Sequence, residues 1–267
     1  MTDATTSGPP VGEHAPFWVR VDRDVVQVAG PDAASYLGSQ VSQDLRPLQV
    51  GQSAWTFLLQ PTGKVDVLAR VTRTDDDTFV LDTDAGFGEV LTARLARFKI
   101  RVRAELSPLA WTCIAVRGGD ASASVQEADA DAAVVVGWGG GLDLLGAAPR
   151  PPADVRAGDA DDLLAARIEA AWPAMGAEIR PGETIPAELG ATVVGAAVSF
   201  TKGCYPGQEL VERMDSRGAS APRSLQVVDV PPGTAAGDEV QRDGGPVGTV
   251  TSVAGTRALA LVRRAAG

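Results

Sequence analysis

Histidine occurs once in this sequence of 267 residues, at His14, and cysteine only twice, at Cys113 and Cys204. That scarcity excludes a histidine-based catalytic triad, a His/Cys zinc site, and an iron–sulfur cluster held by four thiolates of one chain. No metal site of the chain's own is expected. Lysine is nearly missing too, limited to Lys64, Lys99 and Lys202 among 24 basic residues, so chemistry must rest on very few side chains. Positive charge is also short: 34 acidic residues leave a formal charge of −10. A chain that acidic is badly matched to a phosphate backbone or an anionic membrane surface, so neither direct nucleic-acid binding nor membrane association is expected. No apolar run approaches the ~20 residues that cross a bilayer. Residues 1–16 show no basic segment followed by an apolar stretch, and two distant cysteines make no disulfide framework, so a cytoplasmic protein is expected.

What is present is ordinary globular material, 45 % hydrophobic and 22 % charged. Residues 1–16 are polar and Pro/Gly-rich and read as a disordered tail. Residues 17–28 carry two β-rich stretches around Asp22-Arg23-Asp24 and read as a hairpin. Gly30-Pro31-Asp32 then starts a helix, with Asp32 as N-cap and Tyr36, Leu37 and Val41 on one face. Strands over 54–59 and 64–72 flank the turn Gln60-Pro61-Thr62-Gly63. Further strands are expected at 78–81, 100–106 and 111–116, and helices at 87–98, 161–172 and 206–214. Residues 118–162 are weakly patterned, with a strand and a helix expected inside them. From Leu225 onward short strands recur at hairpin spacing, a small barrel-like β domain. The division expected is a tail over 1–16, an α+β body of two interleaved subdomains over 17–220, and a C-terminal β-barrel over 221–267.

One segment concentrates the scarce residues: Lys202-Gly203-Cys204-Tyr205-Pro206-Gly207-Gln208-Glu209. Pro206 suits the first position of a helix, where a missing N–H costs nothing. Cys204 would then sit just before a helix N-terminus and two residues from an ammonium, both of which favour the thiolate. Gly203 and Gly207 carry no side chain to shield the sulfur. Cys204 and Lys202 are therefore the reactive candidates. Cys113 lies in Trp111-Thr112-Cys113-Ile114-Ala115-Val116, which alternates like a core strand.

The same octapeptide resembles the KGCYxGQE signature of the YgfZ family, folate-binding relatives of the glycine-cleavage T-protein, an aminomethyltransferase. The resemblance extends through Gly30-Pro31-Asp32-Ala33 with Ser42-Gln43-Asp44-Leu45, and through Gly63-Lys64-Val65. It continues in Arg167-Ile168-Glu169, Ile185-Pro186-Ala187-Glu188 and Gly245-Pro246-Val247-Gly248-Thr249-Val250-Thr251-Ser252. It implies a three-lobed T-protein-like fold with mixed and antiparallel sheets and a central cavity for tetrahydrofolate. Glu188 matches the carboxylate that would accept hydrogen bonds from the pterin edge. Arg223 falls near an arginine that would face the negative end of the folate. Asp66, Tyr205 and Gln208 complete the folate-facing candidates. T-proteins carry a paired Asp-Asp where this chain has Asp66 followed by Val67, and Ala171 stands in the helix where the family often has Gly. The function implied is a tetrahydrofolate-binding accessory protein for iron–sulfur cluster assembly or repair, affecting cluster enzymes such as those that thiolate tRNA. Its partners would be assembly proteins or client cluster enzymes. The alternative is a tetrahydrofolate-dependent aminomethyl or methyl transferase acting on a small amine, with Asp66 as acid or base.

Overall fold

A computed structural model describes residues 15–119, 132–216, 221–242 and 244–264. The expected tail lies almost wholly, and His14 wholly, outside the described residues, as do residues 120–131 of the weakly patterned stretch. Strands β1 (Phe17–Val21) and β2 (Arg23–Ala29) are separated by Asp22 alone, and they do not form the expected hairpin. A single residue cannot reverse the chain. Instead the chain changes sheets there. β1 pairs with β7 (Thr112–Arg117) and β10 (Arg156–Ala157), and that sheet is completed by β9 (Leu142–Gly146) and β8 (Ala132–Val136). β2 pairs with β5 (Thr78–Asp84) and β6 (Glu105–Leu109), in a second sheet closed by β4 (Val65–Asp75) and β3 (Ser53–Leu59). The first sheet is mixed, since β1 and β10 run parallel, and the second is antiparallel throughout. The expected strand at 100–106 begins only at Glu105, and Ile100 is 77 % exposed; β6 is an edge strand, where Pro108 is tolerated.

The second sheet is covered on both faces, which explains the near-continuous apolar run of β3. Leu58, Val67, Val71 and Leu81 pack under α1 (Ala33–Gln40) and α2 (Gly88–Arg97) together with Tyr36, Leu37, Leu91 and Leu95. Trp55, Phe57, Leu59 and Val65 face the other way, onto Trp172, Met175, Leu189 and Val193. The Trp55 and Trp172 rings meet at 4.9 Å, tilted by 55°. Asp32 does precede α1, but its carboxylate makes no cap; it takes the Arg103 guanidinium and backbone N–H instead.

Helix α3 (Ala160–Glu169) opens on a capping box in which Asp159 and Asp162 satisfy each other's backbone N–H. It stops well before Pro173, and Ala171 lies beyond it at φ 49°. The change from the family's Gly is therefore not within a helix. It falls on a left-handed residue just past the C-terminus, where glycine is unstrained. A 3-10 turn (Pro186–Leu189) and α4 (Ala191–Ala197) occupy a stretch in which no element is expected from the sequence, and α5 (Gln208–Ser216) follows. The C-terminal sheet is antiparallel in the order β11 (Arg223–Asp229), β14 (Arg257–Arg263), β13 (Gly245–Ala254), β12 (Glu239–Arg242). It packs through Leu225 and Leu259 against Ile168 of α3. The α+β class is as read: mixed and antiparallel sheets with five helices among the described residues.

The two larger sheets are joined by a fully buried arginine. Arg70 of β4 donates to Asp82 of β5 at 2.9 Å, and to Asp143 Oδ2 of β9 and the Val136 carbonyl of β8 at 2.6 and 2.8 Å. Arg117 holds the other Asp143 oxygen at 2.6 Å, and Arg23 the other side of Asp82 at 2.8 Å. Burial works against the Asp143 carboxylate, but Arg117 and Arg70 outweigh it and hold its pKa below the ordinary range. That contribution to stability is complete above the unfolded pKa of about 3.9 and is lost as pH falls through the lower folded value. Arg70→Leu is expected to cost about 3–5 kcal/mol in urea unfolding, because it leaves two buried carboxylates with one arginine each in place of two. The exposed Arg46→Leu should stay within ~1 kcal/mol. Similar losses for the two variants would show that the bridge does not hold the sheets together.

Candidate functional site

The motif at 202–209 is a loop pinned at both ends of its cysteine. The Lys202 ammonium donates to the Gly38 carbonyl at 2.7 Å, to that of Val41, and to that of Gln43 at 3.3 Å. These are carbonyls at and beyond the C-terminus of α1, which lack helical partners and carry its negative dipole end. Burial pulls Lys202 down to about 8, against the opposing attraction of Asp44. On the other side, the Tyr205 ring is buried among Trp55, Phe57, Leu59 and Val65, and burial pushes its phenol up to about 12. The Tyr205 N–H donates to Gln208 Oε1 at 3.3 Å, and the Gln208 amide donates to Glu212. Both side chains thus serve the loop's own geometry.

Gly207 is needed for contact with the rest of the protein. Its φ is +83°, and a Cβ there would lie 2.5 Å from the Gln60 carbonyl and 2.9 Å from Gly63 Cα. Gly63 shares that φ, and a Cβ on it would meet the Leu210 side chain at 2.4 Å. The β3–β4 turn and the cysteine loop therefore touch backbone to backbone. Gly207 shields nothing and opens nothing; Gly203 alone faces open space.

Cys204 is exposed between these anchors, whereas Cys113 is buried on β7, where burial pushes its thiol up to about 12. The surroundings of Cys204 differ from the sequence reading. Helix α5 begins only at Gln208, Pro206-Gly207 forms a turn before it, and the Lys202 ammonium is directed into α1. The thiol stands instead on the rim of a cleft of about 620 Å³ that runs along Ser35, Gly38 and Ser39 of α1 past Asp44, Arg46 and Lys202.

The remaining candidates lie elsewhere. Glu188, 4 % exposed, accepts from Arg223 Nε at 2.8 Å and Nη2 at 3.4 Å, and from the Ile185 N–H at 3.3 Å. The two folate-facing candidates thus bind one another and latch the C-terminal sheet to the body. Asp66 accepts from Gln60 at 2.8 Å and lies 3.5 Å from Arg94 Nε.

A central cavity of about 360 Å³ opens between β1, β7 and α3, walled by Trp55, Trp138, Leu163 and Leu164, with Arg117 and Arg167 among its polar lining. Neither Glu188, Arg223, Asp66, Tyr205 nor Gln208 lines it. The Arg117 guanidinium lies 4.0 Å over the Trp138 ring, and Arg70 lies 5.3 Å over Trp55. Among the described residues, Trp55 Nε1 and Arg117 Nε are buried donors without a partner. Such orphans cost about 1–3 kcal/mol each unless a ligand satisfies them. Sequence reasoning passed over these residues, though two of only five tryptophans meeting one cavity is a usable signal. Among the described residues no three His, Cys, Asp or Glu side chains gather as a metal site, and no helix is long and apolar enough to cross a membrane.

This sheet pairing, with a β appendage latched at its end, defines a T-protein-type architecture. The profile of the GCVT N-terminal domain matches residues 24–136, and that of the CAF17 C-terminal beta-barrel domain matches residues 223–266. The chain superposes on the crystal structure of glycine cleavage system aminomethyltransferase T from Bartonella henselae with a TM-score of 0.73 at 19 % identity, covering 93 % of this chain and 78 % of that one. At that identity the likeness concerns the fold. The tRNA-modifying protein YgfZ of Edwardsiella ictaluri is 30 % identical over 241 residues, 79 % of this chain and 71 % of that protein. The human mitochondrial iron-sulfur cluster assembly factor IBA57 is 27 % identical over 255 residues, 85 % and 70 % of the two chains. The chain belongs to the YgfZ/CAF17-like family.

Lys202 is expected to act as a strap. With a folded pKa near 8 against about 10.4 unfolded, its charged form is penalised by folding; that penalty is full below pH 8 and recedes as pH rises toward 10.4. Lys202→Met should speed amide hydrogen exchange at Gly203, Cys204 and Tyr205 at pH 7 while leaving Cys204 open to maleimide. Unchanged exchange would rule the strap out.

Proposed function

We propose that this protein is a folate-binding accessory factor of iron–sulfur cluster assembly or repair, acting through Cys204 on cluster enzymes that include tRNA-modifying ones. The names of its relatives support this reading, one an iron-sulfur cluster assembly factor and the other a tRNA-modifying protein. The observation that carries it is the exposed Cys204 on a loop strapped to α1 and rooted in the core by Tyr205. One thiol supplies one ligand to a cluster, or one partner in thiol exchange, and a partner protein supplies the rest. The compartment proposed is the cytoplasm.

The central cavity fits a folate better than the motif residues do. Indole walls suit a flat heteroaromatic ring, and the orphaned Trp55 and Arg117 donors suit its ring nitrogens and carbonyl. Trp55, Trp138 and Arg117 would hold and orient the pterin, while Leu163 and Leu164 exclude water from it. A bound tetrahydrofolate would supply one-carbon or reducing chemistry. Glu188 and Arg223 would reach it only by releasing one another, so in the closed arrangement they act as a latch. The transferase alternative needs an acid or base at the folate nitrogen, and Asp66 is engaged by Gln60 and Arg94 outside the cavity lining.

Titration with tetrahydrofolate and its formyl derivative should quench tryptophan fluorescence. Trp138→Ala should weaken binding at least tenfold, while Glu188→Gln leaves affinity nearly unchanged and loosens the C-terminal sheet. A wild type that binds neither compound removes the folate reading. Cys204→Ala should bind folate normally yet fail to complement a deletion strain, and full rescue by that variant would sink the role of the thiol.

A further inference from the structure

One end of the antiparallel sheet carries a row of four loops. In the sheet order they are 49–52 before β3, 75–77 between β4 and β5, 30–32 after β2, and 98–104 before β6. Backbone hydrogen bonds tie each loop to the next part of the row: Gly51 N–H to the Arg73 carbonyl at 2.7 Å, Gly30 N–H to that of Asp77 at 2.9 Å, and Asp32 N–H to that of Arg103 at 3.3 Å. Four strand spacings make the row about 19 Å wide.

The row is polarised. Residues 90–104 hold five of the 24 basic residues and no acid, in a chain of formal charge −10. Arg94 is spent on the Leu59 carbonyl and Arg103 on Asp32. Arg97, Lys99 and Arg101 make no ion pair among the described residues, and Arg97 has only the Phe98 ring at 5.6 Å. The dipole of α2 accounts for bases at Arg97 and Lys99, but Arg101 lies beyond its last turn. Arg101 also holds φ 57°, a strain that glycine would avoid. Two loops away, Asp75, Asp76 and Asp77 are all exposed. Asp76 lies 3.4 Å from Arg73, and Asp75 and Asp77 have no ion pair among the described residues. The neutral Asp32–Arg103 pair stands between the two charged turns. The two most exposed large apolar side chains among the described residues, Ile100 at 77 % and Val50 at 52 %, stand in the outer loops of the same row.

This pattern selects among occupants. A polyanion attracted by the basic turn is repelled by three carboxylates on the same sheet end, which disfavours a phosphate backbone or an anionic membrane. No ring is free to stack a base, since Phe98 is half-buried with Arg94 and Arg97 over it. Exposed aliphatic side chains flanked by charge suit a protein surface. That surface must carry both signs in the reverse order, and a two-fold rotation of the row itself supplies it. We propose that this sheet end is a two-fold contact between two copies of the chain, residues 75–77 of each copy facing Arg97, Lys99 and Arg101 of the other. A face of that width covers on the order of 400 Å² per copy, below the roughly 800 Å² of a standard interface, so the dimer is weak and forms at high concentration. Arg73, which holds Asp76, also lines the cleft beside Cys204, so the second copy abuts the far end of that cleft.

Sedimentation velocity of the full chain, from micromolar to millimolar concentration, tests the contact. Wild type should pass from monomer to dimer across that range. Asp75→Lys/Asp77→Lys makes both turns basic, and Lys99→Glu/Arg101→Glu makes both acidic. Each double variant should therefore raise the dimer dissociation constant at least tenfold. An equimolar mixture of the two should regain a dimer of near wild-type affinity, because both contacts again join opposite charges. Damage to folding would not be repaired by mixing. A wild type that stays monomeric overturns the proposal, as does a dimer that neither double variant weakens. A dimer lost in both variants and not regained on mixing overturns it too. Titration with transfer RNA and with phosphatidylglycerol vesicles covers the other occupants. Binding of either by a monomeric wild type, lost in Lys99→Glu/Arg101→Glu, gives the basic turn to a polyanion and overturns the second copy.

Discussion

Arg70 is the residue on which the geometry of both large sheets depends. It is buried completely, it pairs with Asp82 in its own sheet, and it crosses to Asp143 and the Val136 carbonyl in the other. A buried guanidinium is tolerable only when its donors are nearly all met, so the two sheets must approach in one relative position. The consequence reaches the central cavity. Asp143 also holds Arg117, Arg117 lies over Trp138, and Trp138 forms a wall of that cavity. Such ion pairs contribute little net stability compared with apolar packing, so what this network supplies is position.

The legible part of the fold was the part written in local patterns. The apolar runs at 54–59 and 64–72, the turn at Gly63, the amphipathic α2 and the hairpin spacing after Leu225 depend on neighbours a few residues away. The illegible part depended on distant partners. Nothing local distinguishes Asp22 as a corner between sheets from Asp22 as a hairpin turn; the difference lies in Arg23, drawn to Asp82 and Asp84 about sixty positions away. Helix α4 escaped notice because its seven residues hold two valines and a glycine, poor helix formers whose conformation comes from packing Val193 and Ala197 against β3.

The candidate site divides in the same way. Its rare residues were visible as rare, and Cys204 is exposed where Cys113 is not. Their roles were not visible, because proximity in sequence says little about direction. Lys202 is two positions from Cys204 and turns its ammonium onto α1, 160 or so residues away. Glu188 and Arg223 each invited a ligand when considered alone, yet they face one another.

The position of the thiol follows from what surrounds it. A lysine that braces the loop, a tyrosine that roots it and a glycine that fits against Gly63 all fix where Cys204 stands, and none of them supplies a charge aimed at its sulfur. On the proposed function, what matters for such a thiol is that it stands exposed at a fixed place. It is well arranged to be met. The activating group, whether a metal ion or a cation of a docking surface, would then arrive with the partner, and reactivity would be confined to the encounter. On the proposed function, that division of labour would also account for the scarcity of histidine and cysteine. A chain that offers one ligand to a shared site has no need of a set of its own, and further exposed thiols would offer competing positions for the same cargo.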